Sequence, residues 1–174
     1  MAGFTLEEFK SNFEGGAKQY LFYIKPEIPG IGTEKATYMV STGALPGRSF
    51  EEEITSWQGM DYKLAGKSTF ETWDITFRID READIRYSFE DWMKLIHNPE
   101  TNIRSMPSEY MRDQVAQLLN ENGNPILTYK LHDAWPSNLA TVDLDYAGSE
   151  IATFTVTFTY QYYTYVNDGT IAGG

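Results

Sequence analysis

Thr153-Phe154-Thr155-Val156-Thr157-Phe158-Thr159-Tyr160-Gln161-Tyr162 alternates polar and apolar residues without a slip, and nearly every residue is β-branched or aromatic. Side chains alternate faces along a strand, so this reads as a strand with Phe154, Val156, Phe158, Tyr160 and Tyr162 on one surface. The other surface is then a ladder of Thr153, Thr155, Thr157 and Thr159 ending at Gln161. Continued to Val166, the strand would span on the order of 50 Å at roughly 3.3 Å per residue. Strands of small domains are usually far shorter. An overlong strand overruns its own core and needs a neighbour, which makes polymeric or tubular assembly an expectation of the pattern itself.

Working outward, residues 70–79 give a second alternation. Trp73, Ile75, Phe77 and Ile79 face one way, while Thr72, Asp74, Thr76 and Arg78 face the other. The best helix is 88–97, where Phe89, Trp92, Met93 and Ile96 recur at the spacing of one helical face. Ser88 fits its N-cap and Asp91 a weaker capping box. Residues 108–120 are ambiguous, since Met111, Val115, Leu118 and Leu119 also fit one helix face, but Asn122-Gly123 is a hairpin signal, so residues 115–119 and 126–131 are expected as an antiparallel pair. Further strands are expected at 19–25, 37–41, 49–57, 60–64 and 139–144, with Gly43, Pro46 and Gly47 breaking the chain after the second of these. Glu51, Glu52 and Glu53 stand together in the 49–64 hairpin. Three consecutive acids in a strand cannot all face a core, so that hairpin is expected to project.

The chain has 174 residues, no cysteine and a formal charge of −11 from 25 acidic and 14 basic side chains. That length suits one domain able to bury a core without staples. The absence of cysteine removes disulfides, thiol catalysis and Cys-based zinc sites. The acidic balance disfavours wrapping on nucleic acid or lying on anionic lipid. No signal peptide or transmembrane helix is read from the sequence, and no membrane partner is expected. No linker or 20- to 50-residue repeat divides the chain.

The search for chemistry returns no catalytic, cofactor-binding or metal-ligating set. His97 and His132 stand far apart, and His132 and Asp133, as strand neighbours, point to opposite faces. Gly15-Gly16-Ala17-Lys18 lacks the leading glycine, the Ser or Thr after the lysine, and the following helix of a phosphate loop. Glu90-Asp91 and Asp143-Asp145 are pairs that an acidic composition produces by chance, although a glycosidase would use two carboxyls across a cleft. A ligand-binding β-barrel and a carbohydrate-active sandwich enzyme therefore stay open as rivals to assembly. The first predicts a monomer with an internal cavity, and the second predicts hydrolysis lost when one carboxylate is replaced.

Four places carry a family resemblance. They are Phe9-Lys10-Ser11-Asn12-Phe13-Glu14-Gly15-Gly16-Ala17; Ala44-Leu45-Pro46-Gly47 with Ala65-Gly66-Lys67-Ser68-Thr69-Phe70-Glu71-Thr72-Trp73; Phe89-Glu90-Asp91-Trp92-Met93; and Ala134-Trp135-Pro136 through Val142-Asp143-Leu144-Asp145-Tyr146 into the threonine strand. In that order the chain resembles the tail tube proteins of contractile-tailed bacteriophages, whose fold is shared with tubes of contractile injection systems. The dense Glu51-Glu52-Glu53 cluster departs from the family pattern.

The resemblance implies a mainly β fold, an antiparallel sandwich or barrel with one flanking α-helix. It implies a single tail-tube domain over 1–174, with 1–18 and 167–174 as arms or flexible tails. It also implies hexameric rings stacked as a hollow conduit, with strands of each copy joined in a continuous inner β-barrel. The implied partners are other copies of the chain, a tail sheath protein outside, a tape measure protein and then DNA in the lumen, and baseplate and tail terminator proteins at the ends. The implied location is the virion tail, assembled in the host cytoplasm, with a tube of a non-phage injection machine as the alternative. The lumen wall is expected from Thr72, Asp74, Thr76, Thr153, Thr155, Thr157 and Thr159, the alternative being that these threonines face solvent or the surrounding sheath. Contacts between rings are expected from Phe9, Phe13, Phe50, Glu51, Glu52, Glu53 and Trp57.

Overall fold

A computed structural model describes residues 5–13 and 15–166. In chain order the elements are α1 (Leu6–Phe13), β1 (Phe22–Lys25), α2 (Thr33–Met39), β2 (Val40–Gly43), β3 (Arg48–Trp57), β4 (Met60–Phe70) and β5 (Trp73–Arg78). They continue with α3 (Asp84–Ile96), β6 (His97–Asn98), β7 (Ile103–Arg104), α4 (Pro107–Tyr110), β8 (Arg112–Leu119), β9 (Pro125–Leu139), β10 (Thr153–Thr159) and β11 (Tyr162–Val166). The expected tail at 167–174 lies outside the described residues.

Two antiparallel layers share β9. Its first half pairs with β8, which pairs with β1, and on the other side with β11. Its second half pairs with β10, and the order continues through β5 to β2. β9 can serve both layers because it bends where Asp133 takes a left-handed φ of 54°. Strands that change sheets turn the corner through such bends and bulges. The threonine strand must turn at the same corner. Thr153–Thr159 follows the second half of β9, and the chain then breaks at Tyr160 and Gln161, where the Gln161 amide donates to the His132 carbonyl at 3.1 Å.

The single long strand expected over 153–166 is therefore two, and the break shifts the alternation by one. Phe154, Val156, Phe158 and Tyr160 are buried as read, but Tyr162 is exposed and stacks on His132. Tyr163 turns inward instead, edge-on to Phe70 and Tyr129. The long strand of the fold is β9, with 15 residues.

The core lies between the layers. Trp73, Ile75 and Phe77 of β5 meet Phe154, Val156 and Phe158 of β10, and α3 lays Ile85, Phe89 and Trp92 across them. Phe89 touches the rings of Phe77, Phe154 and Phe158. These contacts explain why α3 begins a turn earlier than the expected 88–97. Ile85 adds one more inward residue four positions before Phe89, and the Asp80 carboxylate accepts the Ile85 amide. Ser88 thus sits inside the helix, and Ala83, at φ 57°, is the residue before it.

Other expectations move as well. Residues 37–39 close the helix α2, whose buried Ala36 packs into the core, so the strand read over 37–41 starts only at Val40 and runs to Gly43. Strand 19–25 shortens to β1, and 70–79 to β5. Residues 140–152 form a loop rather than the strand expected at 139–144; Ala140 keeps one ladder bond, to the Thr155 carbonyl, before the chain leaves the sheet. The hairpin at Asn122-Gly123 forms as read, with Val115 opposite Lys130 and Leu118 opposite Leu127.

Candidate functional site

Two surfaces stand out among the described residues, one a sheet face and the other a projecting ribbon. Among the described residues no group of three or more His, Asp or Glu side chains is placed to hold a metal, and no helix is long and apolar enough to cross a membrane.

The first surface is the outer face of the β9-β10-β5-β2 layer. Ladder partners share a face. Thr155 stands opposite Thr76, Thr157 opposite Asp74, and Thr153 opposite Arg78. The Thr76 and Thr155 hydroxyls are 2.9 Å apart and hydrogen-bonded. The structure thus brings Asp74, Thr76, Thr153, Thr155, Thr157 and Thr159 onto one sheet, while Thr72 lies in the short connection before β5. The ladder adds residues that sequence reading missed: Thr42 of β2 opposite Thr76, and Asn138 of β9 opposite Thr157. The missing signal was pairing. Thr42 stood in a segment read as a break, and Asn138 just before a strand expected at 139–144. The face is mostly neutral hydroxyl and amide, with one carboxylate and one guanidinium.

The second surface is the β3–β4 hairpin, which pairs with nothing else and is exposed along the whole of β3. Its turn is Gln58-Gly59, with φ of 47° and 82°. Positive φ at both central residues is the type I′ pattern that suits the twist of a two-residue hairpin. Register sorts its side chains into two faces. Trp57 and Met60, Thr55 and Tyr62, and Glu53 and Leu64 are opposite pairs on one face. Ser56 and Asp61, Ile54 and Lys63, and Glu52 and Ala65 are pairs on the other. The second face pairs its polar groups, with Lys63 bridging Glu52 at 2.7 Å and Ser56 donating to Asp61 at 2.7 Å, and leaves the large apolar side chain of Ile54 exposed. The first leaves Trp57, Met60, Tyr62 and Leu64 exposed to solvent. Sequence reading named Phe50, the three glutamates and Trp57, but not Met60, Tyr62 or Leu64, because register decides which side chains share a face. At the base, the Arg48 guanidinium lies over the Phe50 and Phe70 rings and ties the hairpin to the sandwich.

Phe9 and Phe13 lie elsewhere, on α1. Their rings stack at 5.1 Å and both are more than half exposed, next to Leu6.

The protein thus presents an exposed apolar ribbon and a hydroxyl-lined sheet with free edges. A family model described as phage tail tube protein matches residues 12–166. The chain belongs to the phage tail tube protein family. The tail tube protein of Serratia phage KSP90 is 29% identical over 150 residues, covering 81% of this chain and 85% of that protein. Among solved structures, a chain in the cryo-EM structure of the anti-feeding prophage baseplate superposes with a TM-score of 0.67 at 17% identity, over 87% of this tail tube protein and 96% of that chain. A chain in the sheath/tube terminator structure of the PVC extracellular contractile injection system gives 0.66 at 16% identity, over 87% and 96%. At such identities the likeness is one of fold. Family membership makes the protein a structural component of a phage tail tube.

Proposed function

We propose that six copies of this single-domain tail tube protein close into a ring, that rings stack into the conduit of a contractile tail, and that the β9-β10-β5-β2 layer forms the inner wall. The observation that carries this reading is that the layer has two free edges, β2 and the second half of β9, below an outer face of threonines. A free edge is a template for pairing with another chain. The four strands alternate in direction, so joining β2 of one copy to β9 of the next keeps the alternation and makes the seam antiparallel. Such a head-to-tail contact is heterologous and closes when its rotation divides a circle.

Six copies at −11 each give roughly −66 per ring, a field that repels the DNA phosphates. A conduit works by failing to bind, and hydroxyls with scattered carboxylates suit that task. The lumen then takes Thr72, Asp74, Thr76, Thr153, Thr155, Thr157 and Thr159, and passes first a tape measure protein and later DNA. A sheath surrounds the tube, baseplate and terminator proteins meet its ends, and assembly takes place in the host cytoplasm. Rings meet through the β3–β4 ribbon, with Phe50, Glu51, Glu52, Glu53 and Trp57, and through α1, with Phe9 and Phe13. No chemical step is part of this role.

Negative-stain microscopy of the purified protein tests the reading. Six-fold rings or hollow tubes are the expected result; a persistent monomer at high concentration, alone and with tail assembly initiators, overturns it.

A further inference from the structure

Resting on the stacked-ring reading above, we infer that the tip of the β3–β4 ribbon of one copy seats in the loop 140–152 of a copy in the next ring. The fold puts these two parts at opposite ends of one sheet. Across the β5–β10 ladder, Trp73 is level with Phe158 and Arg78 with Thr153. The ribbon occupies the connection from β2 to β5 and so leaves the sheet at the Trp73 end. The loop enters β10 at Thr153, and the Ile79 amide donates to the Ala152 carbonyl at 2.9 Å, so it hangs from the Arg78 end. Copies stacked with the same polarity bring the ribbon of one against the loop of the other.

The two parts also match in shape and chemistry. The ribbon tip is a knob, with Trp57 71% and Met60 78% exposed on either side of the turn. The loop folds back on itself, through the Gly148 amide donating to the Asp145 carbonyl, and encloses a cleft of about 520 Å³. Leu144 and Ile151 border that cleft, and Tyr146 projects beside it fully exposed. Asp143, Asp145 and Glu150 give the loop three carboxylates and no cation. The apolar face of the ribbon beyond Glu53 carries no charge, and among the described residues the Trp57 indole N–H has no acceptor. On that face the knob adds no like charge to the carboxylates of the loop, and the Trp57 indole and Tyr62 hydroxyl are donors that can reach them.

The chain contains no cysteine, so engineered cysteines report without background. The test uses the full chain carrying Met60→Cys and Ala147→Cys together, both at exposed positions, oxidised after assembly and run on a non-reducing gel. A ladder of covalent multimers, absent from either single variant and reversed by reductant, is the expected result. Intact tubes by microscopy with no ladder overturn the ribbon-to-loop contact while leaving stacking in place. Neither tubes nor ladder, from variant and wild type alike, overturns the stacked-ring reading and this contact with it.

Discussion

The hydroxyls of Thr76 and Thr155 hydrogen-bond to each other at 2.9 Å across the β5–β10 ladder, and the next rung on the same face places Asp74 opposite Thr157. A hydroxyl already paired within the wall has one less donor for a passing phosphate, and the carboxylate beside it repels one. Breaking that arrangement with cations should turn a passive wall into an adhesive one. Thr155→Lys combined with Thr157→Lys should slow DNA ejection while tubes still assemble, and the delay should shrink as salt is raised, because phosphate contacts by lysine are screened and compete with counterions. Ejection timed at two ionic strengths checks this. Unchanged ejection would remove this sheet from the channel.

Apart from Phe70 at its base, the ribbon packs nothing into the core, so damage to its outer part should separate assembly from folding. Deleting residues 50–59 should leave folded rings or monomers and no tubes. Gly59→Val is the milder version. Gly59 sits at φ 82°, where a side chain costs about 1–2 kcal/mol and a β-branched one more. That strain falls on the turn which positions Trp57 against Met60, so thermal unfolding should be nearly unchanged while tube length falls. Normal polymerisation of either variant would count against the ribbon as a stacking element.

What the sequence revealed follows from the range of the interaction involved. Alternation in β5 and β10 is local, and it predicted Trp73, Ile75, Phe77, Phe154, Val156 and Phe158 as core. The projection of Glu51 to Glu53 was legible for the same reason, since a run of charges excludes burial whatever the partner. The break at Tyr160 was not legible, because it is imposed by the bend of β9 at Asp133, far away in sequence. Thr42, Asn138, Met60 and Tyr62 were missed because each gains its meaning from an opposite residue. α2 was hidden by its own short length, with Ala36 as its one fully buried residue.

Lys35 of α2 bridges Asp80 at 2.8 Å and Asp84 at 2.6 Å, fastening that helix to the start of α3. Burial acts to raise the Asp80 carboxyl, but the hydrogen bonds from Lys35 and from the Ile85 amide outweigh it and hold the group below its ordinary value. A carboxyl depressed in the folded state contributes stability above its unfolded pKa and loses it as pH falls through the folded value. Lys35→Met removes the partner and leaves the desolvation. Its acid-unfolding midpoint, followed by tryptophan fluorescence, should therefore move to higher pH, and its stability deficit should be full at neutral pH and fade as pH falls through the range in which Asp80 protonates. An unmoved midpoint would show that the pair does not govern acid stability.

Gln114 is fully buried, and its amide acts as a length of strand for the loop after β1. It accepts the Glu27 amide at 2.8 Å and donates to the Glu27 carbonyl at 3.1 Å. Gln114→Leu keeps the volume and removes both partners, so two backbone groups are left unsatisfied. The cost should be about 1–3 kcal/mol for each group that stays dry. Gln114→Glu separates the two bonds. An ionised carboxylate can still accept the Glu27 N–H, but it sets an oxygen against the Glu27 carbonyl, and burial raises its pKa. Protonation restores a donor toward that carbonyl. The Glu variant should therefore be markedly less stable than wild type at neutral pH and recover part of the difference in mild acid, whereas the Leu variant should show no such recovery. Urea midpoints at the two pH values decide it. Parallel behaviour of the two variants would mean that the lost packing, rather than the paired bonds to Glu27, is what Gln114 supplies.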